Sequence, residues 1–128
     1  MTADSALADT SIFIAQEQSR PIRGELPATT AVSYITIAEL TLGVLVAGPA
    51  TRSSRLDTLL RVRQLDPIPV DDEVAKTWAE LRVALREAGH KLVGNDVWIA
   101  ATAIAHRLPL LTQDADYAGV PGLEVIRV

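Results

Sequence analysis

The stretch "VGNDVWIAATAIAHRLPLLTQDADY", residues 93–117, decides the fold. Its first half, from Asn95 to His106, is apolar nearly all round, which predicts a helix sandwiched inside the protein. The short apolar run that follows has the pattern of a buried strand. The same stretch carries carboxylates at Asp96, Asp114 and Asp116. Buried acids are rare unless they are paired or bound to a cation, so the fold must supply something that holds them.

The composition limits the class of protein. A chain of 128 residues has the size of one ordinary domain, and we expect a single domain over residues 1–128. Because 48% of the residues are hydrophobic and only 4% aromatic, the interior must consist mostly of Leu, Val, Ile and Ala, as is typical of helices packed on a sheet. The net charge of -4 disfavours a surface that attracts nucleic acid everywhere, although local basic patches are compatible with it.

The absence of cysteine excludes a disulfide framework and a thiolate metal site. No apolar run approaches the roughly 18 to 20 residues of a membrane span. The first residues, "MTADSALAD", lack the basic start and apolar core of a signal peptide. We therefore expect a cytoplasmic protein that does not enter a membrane.

Strand and helix patterns alternate along the chain. A β-branched run at residues 32–37 predicts a strand that passes into a helix at Ala38, and "LDPIPV" predicts a proline-flanked edge strand. This alternation predicts an α/β fold with a mainly parallel sheet that is covered by helices on both faces. Further strands are predicted at "SALAD", "LPLLT" and "LEVIRV", and further helices after Asp9, over residues 51–64, and from Asp71 or Asp72 to about Ala88.

Four acidic residues are predicted to meet at one edge of this sheet. Ligands of open α/β sheets bind beyond the carboxyl ends of the strands, where the chain turns into the next helix. Asp9 ends the first strand, and Glu39 lies in the first turn of the helix after the second. Asp96 lies in the first turn of the buried helix, and Asp114 comes just past a late strand. Each pair of carboxylates at ~5 Å would repel by about 3 kcal/mol at an effective dielectric constant of ~20, so the cluster needs cations or protons.

The available ligand atoms indicate which cation fits. The chain has no cysteine and offers only His90 and His106 besides carboxylates, so an all-oxygen site for Mg²⁺ or Mn²⁺ is favoured over a Zn²⁺ site. Two such ions about 3.5 to 4 Å apart can activate water on one side of a phosphodiester and stabilise the leaving oxygen on the other. The acids therefore favour metal-dependent hydrolysis of a phosphodiester.

The segments of sequence that carry the four acids, together with the last strand, resemble the PIN-domain ribonucleases. More narrowly, they resemble the VapC-type toxins of VapBC toxin–antitoxin systems. The resemblance covers nearly the whole chain, and the order and spacing of its acids make it specific. Two departures are a first strand that is less aliphatic than usual and Tyr117 where phenylalanine is common. The segments that carry the resemblance are "DTSIFI", "ITIAELTLGV", "NDVWIAATAIAHRLPLLTQDADY" and "GLEVIRV".

The resemblance implies a PIN-like three-layer α/β/α sandwich with a mainly parallel central sheet. It also implies Mg²⁺- or Mn²⁺-dependent cleavage of RNA by a protein that is usually a homodimer. A cognate VapB-type antitoxin would silence the enzyme by placing its tail in or over the active-site groove. The residues that map onto the catalytic, metal-binding acids of the family are Asp9, Glu39, Asp96 and Asp114, with Asp116 as an accessory ligand.

Other side chains near the acids have two interpretations each. Hydroxyls at Thr10, Ser11 and Thr112 could orient the carboxylates or waters, although ordinary helix capping explains Ser11 equally well. Arg52 and Arg55 belong to the most basic segment, which is either a solvated helical face or a contact for the RNA backbone.

Two other classes of protein remain as alternatives. A receiver-like phosphorylation switch also has an acidic pocket at the edge of a parallel sheet, but it needs a lysine after a late strand. The only lysines, Lys76 and Lys91, do not lie there. A catalytically silent PIN-like binding module is the second alternative, and the intact set of acids argues against it.

Overall fold

A four-stranded parallel sheet forms the centre of the computed structural model, which describes residues 4–128. The strand order is β2-β1-β3-β4, and each of the three pairings is parallel. This arrangement confirms the predicted α/β class and puts the carboxyl ends of β1 and β3 side by side. The strands are β1 (Ser5–Ala8), β2 (Thr29–Ala31), β3 (Leu110–Thr112) and β4 (Val125–Arg127).

Five α-helices connect and cover the strands, and one 3-10 turn, Ala115–Tyr117, follows β3. None of the helices within residues 4–128 combines the length and the apolar character that crossing a membrane requires. The helices are α1 (Thr10–Glu17), α2 (Tyr34–Val46), α3 (Pro49–Arg63), α4 (Asp72–Ala88) and α5 (Asn95–Ala105).

Side chains of the two central strands point alternately to two separate cores, as the pleat of a β-strand requires. Leu7 and Leu110 pack with residues of α4 and α5 on one face. Ala6, Ala8 and Leu111 pack with residues of α1, α2 and α3 on the other face. Helices thus cover both faces of the sheet, which confirms the three-layer sandwich.

Helix α5 is the buried helix that its composition predicts. Its residues from Ile99 to Ala103 are all buried, and Val97 is fully inaccessible. On its partly exposed side, Trp98 stacks on Trp78 of α4 with ring centroids 4.7 Å apart and an interplanar angle of 12°. The stack and the buried face together fix α5 between α4 and the sheet, and so fix the position of the helix start that carries Asp96.

The β-branched run at residues 32–37 is not a strand, contrary to the sequence-based expectation. Strand β2 ends at Ala31, and Ser33 starts α2 by accepting a hydrogen bond from the Ile35 N–H at 3.0 Å. This N-cap and the burial of Thr36 and Ile37 override the β propensity of the run. Glu39 consequently lies in the second turn of α2 rather than in the first.

The proline-flanked segment "LDPIPV" forms less than a strand. Its only described pairing is an isolated parallel bridge between Ser33 and Ile68. The start of α1 also differs from the capping interpretation of Ser11, because the N-cap residue is Asp9. These corrections shift element boundaries but leave the order of the layers unchanged.

The cap of α4 allows a direct test of the local fold. The Asp71 carboxylate accepts a hydrogen bond from the Val74 N–H at 3.0 Å, and losing such a cap costs about 1 kcal/mol. Asp71→Ala should therefore lower the free energy of unfolding in urea by about that amount. Asp72→Ala is the matched control, since it removes the same charge one residue later without removing the cap. Equal losses in the two variants would contradict the assigned cap.

Candidate active site

Asp9 lies directly after β1 and is only 5% exposed. It is the N-cap residue of α1, but its side chain accepts no capping hydrogen bond from the helix. Its Oδ2 instead accepts hydrogen bonds from Ser11 Oγ at 2.8 Å and Thr112 Oγ1 at 2.7 Å. Two hydroxyls on one oxygen fix the orientation of the carboxylate and leave Oδ1 turned towards the other acids.

The same two hydroxyls join the ends of the central strands. Ser11 Oγ accepts from the Gln113 N–H at 3.0 Å, and Thr112 Oγ1 accepts from the Asp114 N–H at 2.9 Å. Each hydroxyl therefore donates to Asp9 and accepts from the backbone that follows β3. This network ties the position of Asp9 to that of Asp114.

Glu39 reaches the site from α2 and is held by a third hydroxyl. Thr10 Oγ1 donates to Glu39 Oε1 at 2.6 Å and lies 3.0 Å from Thr36 Oγ1. Because Thr10 follows Asp9 in the chain, this bond places Glu39 beside the start of α1. All three hydroxyls that the sequence suggested as orienting groups are thus hydrogen-bonded within the acidic site.

Three further carboxylates form the tightest group in the described part of the chain. One oxygen each of Asp96, Asp114 and Asp116 lies within 4.8 Å of the others. Asp96 and Asp114 are half-buried and Asp116 is exposed. Asp114 Oδ1 also accepts from the Asp116 N–H at 2.9 Å, which shapes the turn after β3. The three acids are close enough to bind one divalent cation together.

Tyr117 links this group to Asp9. The side chain is fully buried, and its hydroxyl donates to Asp96 Oδ1 at 3.0 Å and lies 3.5 Å from Asp9 Oδ1. From the sequence, Tyr117 is predicted only to replace a common phenylalanine, and no role is predicted for its hydroxyl. A general signal exists, because a buried tyrosine hydroxyl usually needs a hydrogen-bond partner. The acids beside it in "DADY", however, are not the ones that it contacts.

The pKa of Asp96 is raised above its ordinary value, chiefly because burial removes solvent from the charged form. The hydrogen bond from Tyr117 acts in the opposite direction, while the charges of Asp9, Asp114 and Glu39 raise the pKa further. Burial is the main cause that raises the pKa of Tyr117 far above its ordinary range, and the charges of Asp9, Asp96 and Glu39 and the hydrogen bond to Asp96 raise it further. The hydroxyl therefore keeps its proton at neutral pH. Four separate segments of the chain therefore bring their acids within electrostatic reach of one another.

A groove of about 320 Å³ opens beside the acids, lined in part by Asp96, Asp116 and the exposed Lys91. His90 also lines it, but both of its ring nitrogens have partners. Nε2 lies 2.8 Å from the Ala118 carbonyl oxygen, and Nδ1 accepts from the Leu92 N–H. His90 therefore stabilises the wall of the groove through these two hydrogen bonds. The acids supply an all-oxygen set of ligand atoms that suits a hard divalent cation.

Arg52 and Arg55 lie outside the acidic cluster and contact the neighbouring helix. Arg52 Nη2 donates to the Ala47 carbonyl oxygen at 2.8 Å. Arg55 packs against Gly43, where a Cβ would lie 3.0 Å from its Nη1. Its Nε is buried and finds no hydrogen-bond partner among residues 4–128. Arg52 therefore bonds to the C-cap residue of α2 while it remains exposed, and Arg55 packs on α2 itself.

A parallel α/β sandwich with carboxylates gathered at the carboxyl edge of its sheet defines a class of proteins with an acidic site that could hold a divalent cation. Within that class, residues 6–123 match the PIN domain, and the chain belongs to the PIN-domain family.

Several relatives span the full length of the chain. Ribonuclease VapC5 of Mycobacterium tuberculosis is 43% identical, over 99% of this chain and 98% of the relative. Ribonuclease VapC4 of the same organism is also 43% identical, over the whole of both chains. The crystal structure of VapBC-5 of M. tuberculosis, a member of the VapBC family of toxin–antitoxin systems, superimposes with a TM-score of 0.85 at 41% identity. It covers 98% of this chain and 99% of that chain. The predicted resemblance to VapC-type PIN-domain ribonucleases is confirmed.

The raised pKa of Asp96 gives a prediction for protein treated with a chelator. An acid whose pKa is higher in the folded state keeps its proton to a higher pH in the folded protein than in the unfolded chain. As pH rises between these two pKa values, Asp96 therefore makes folding less favourable. From pH 4 upwards, stability should fall relative to Asp96→Asn until Asp96 is fully ionised in the folded state. Urea unfolding of both proteins across pH 4 to 8 measures the difference. A constant difference over the whole range would contradict the raised pKa.

Proposed function

We propose that this protein is an endoribonuclease toxin of a type II toxin–antitoxin system, which hydrolyses RNA phosphodiester bonds. The observation that carries the proposal is the acidic cluster, in which Asp96, Asp114 and Asp116 lie within 4.8 Å of one another at the edge of a PIN fold. The ribonuclease relatives of equal length support the same activity. The proposed catalytic acids are Asp9, Glu39, Asp96 and Asp114.

We propose Mg²⁺ or Mn²⁺ as the cofactor, held by these four acids with Asp116 as an accessory ligand. The support is chemical: the ligand atoms gathered at the site are carboxylate oxygens, and the nearest histidine has partners on both nitrogens. When bound, such an ion polarises the phosphodiester and lowers the pKa of an attacking water. The side chains then have distinct tasks. Ser11 and Thr112 hold Asp9 in place, and Thr10 holds Glu39.

One of the carboxylates also accepts the proton of the attacking water in this proposal. Glu39 is the best placed, because it is half-buried and a single described hydroxyl, that of Thr10, contacts it. Asp9 Oδ2, by contrast, already accepts two hydrogen bonds from hydroxyls, which occupy positions at which it could otherwise meet an attacking water.

The partner follows from the relatives. The M. tuberculosis structure is described as a member of the VapBC family of toxin–antitoxin systems, and we propose a cognate VapB-type antitoxin for this chain. A homodimer, a cytoplasmic location and a single domain over residues 1–128 remain predictions. Membership of the PIN family removes the receiver-like alternative, whereas a silent PIN-like binding module differs from the proposal only in activity.

Removing one proposed ligand tests catalysis. Asp96→Asn should lower Mg²⁺-dependent cleavage of a fluorogenic oligoribonucleotide by at least about 100-fold, because even residues that only orient metal ligands contribute 10- to 100-fold. Asp57→Asn, an exposed acid on α3, is the matched control and should cleave normally. Unfolding curves should show that both variants are folded. Full Mg²⁺-dependent cleavage by highly purified Asp96→Asn would refute the assignment, and no cleavage by the wild type would favour the silent module.

Basic side chains should govern how RNA binding depends on salt. We propose that Arg52, as the sequence suggested, and Lys91, which lines the groove beside Asp96, contact phosphates. In the Asp96→Asn background, Arg52→Ala or Lys91→Ala should weaken RNA binding and reduce the slope of log affinity against log salt by about 1. Lys76→Ala on α4 is the control. Arg55 is less suitable for this test, because its truncation would also remove packing on Gly43. Unchanged slopes would remove both residues from the RNA interface.

A further inference from the structure

Tyr117 combines two environments in one side chain. Its ring belongs to the apolar core that α4 and α5 form on one face of the sheet, together with Leu81 and Ile99. Its hydroxyl emerges at the carboxyl edge, 3.0 Å from Asp96 Oδ1 and 3.5 Å from Asp9 Oδ1. The packed ring therefore fixes the hydroxyl between Asp9, at the end of β1, and Asp96, in the first turn of α5.

We propose that the Tyr117 hydroxyl substitutes for a cation between Asp9 and Asp96 when no metal is bound, and so makes Tyr117 a positioning residue that weakens metal binding. The proposal rests on the proposed metal site. Asp9 and Asp96 come from distant parts of the chain, and Asp9 is buried while Asp96 is half-buried. The hydroxyl donates its one hydrogen to Asp96 Oδ1 at 3.0 Å and lies 3.5 Å from Asp9 Oδ1, so a positive hydrogen lies close to both carboxylates.

The direction of the effect on metal affinity follows from the charge on the acceptor. A hydrogen bond to an ionised carboxylate is about twice as strong as one to a neutral group. A cation that binds the same carboxylates withdraws charge from them, so the hydroxyl loses part of its interaction. Because the hydroxyl stabilises the metal-free protein more than the metal-bound one, its removal must tighten metal binding by linkage. Phenylalanine would fill the same apolar space without this bond.

The test is Tyr117→Phe, with Tyr34→Phe as the matched control, because Tyr34 is partly exposed at the start of α2. After chelator treatment, Tyr117→Phe should have a lower melting temperature than the wild type. Isothermal titration with Mn²⁺ should then show binding that is roughly threefold tighter or more. The rise in melting temperature that saturating Mn²⁺ produces should accordingly be larger in Tyr117→Phe. Tyr34→Phe should match the wild type in both measurements.

Asp96→Asn separates this role from simple packing. In the chelator-treated Asp96→Asn background, adding Tyr117→Phe should cost much less stability, since the charge that the hydroxyl serves is gone. An equal loss in both backgrounds, or Mn²⁺ binding that is unchanged or weaker in Tyr117→Phe, would overturn the proposal. Failure of the wild type to bind Mn²⁺ would instead refute the metal site itself, and with it any effect of Tyr117 on metal.

Discussion

Mutual repulsion among carboxylates at the carboxyl edge of the sheet is the constraint on which the rest of the structure depends. Asp9, Glu39, Asp96 and Asp114 would separate if their segments were free. Burial is the main cause of the raised pKa of Asp96, and the charges of the other three acids raise it further. Hydroxyl groups that donate hydrogen bonds to the carboxylates stabilise this arrangement. Thr10, Ser11, Thr112 and Tyr117 each donate to one of the acids, so the acidic site is built together with its own set of neutral partners.

The strand order explains why those donors are available. β1 and β3 are neighbours at the centre of the sheet. Asp9, just past β1, and Thr112, the last residue of β3, therefore lie within hydrogen-bond distance although 103 positions separate them in the chain. Helix α5 is held by its buried face, and it delivers Asp96 to the same edge. The PIN fold therefore positions the acids mainly through apolar packing remote from them, and the hydroxyls only adjust their final orientation.

The sequence predicts the layers, the parallel sheet and the acids that approach one another, because apolar periodicity and the position of acids after strands are local signals. It failed where tertiary contacts decide. The run at residues 32–37 has strand-forming residues but is helical from Tyr34, since Ser33 caps the helix and Thr36 and Ile37 are buried on it. The hydrogen bond of Tyr117 was also missed, because no local pattern tells that a ring 21 residues from Asp96 directs its hydroxyl at that acid. The arginines of α3 were similarly ambiguous until their contacts with α2 were visible.

The two tryptophans of the chain, Trp78 and Trp98, are stacked on each other. Stacked indoles couple their electronic transitions, and Trp98 is only two residues beyond Asp96 on α5. The protein consequently carries a native optical reporter at the start of the helix that presents the acid. Circular dichroism and fluorescence of unlabelled protein will register any displacement of α5 against α4.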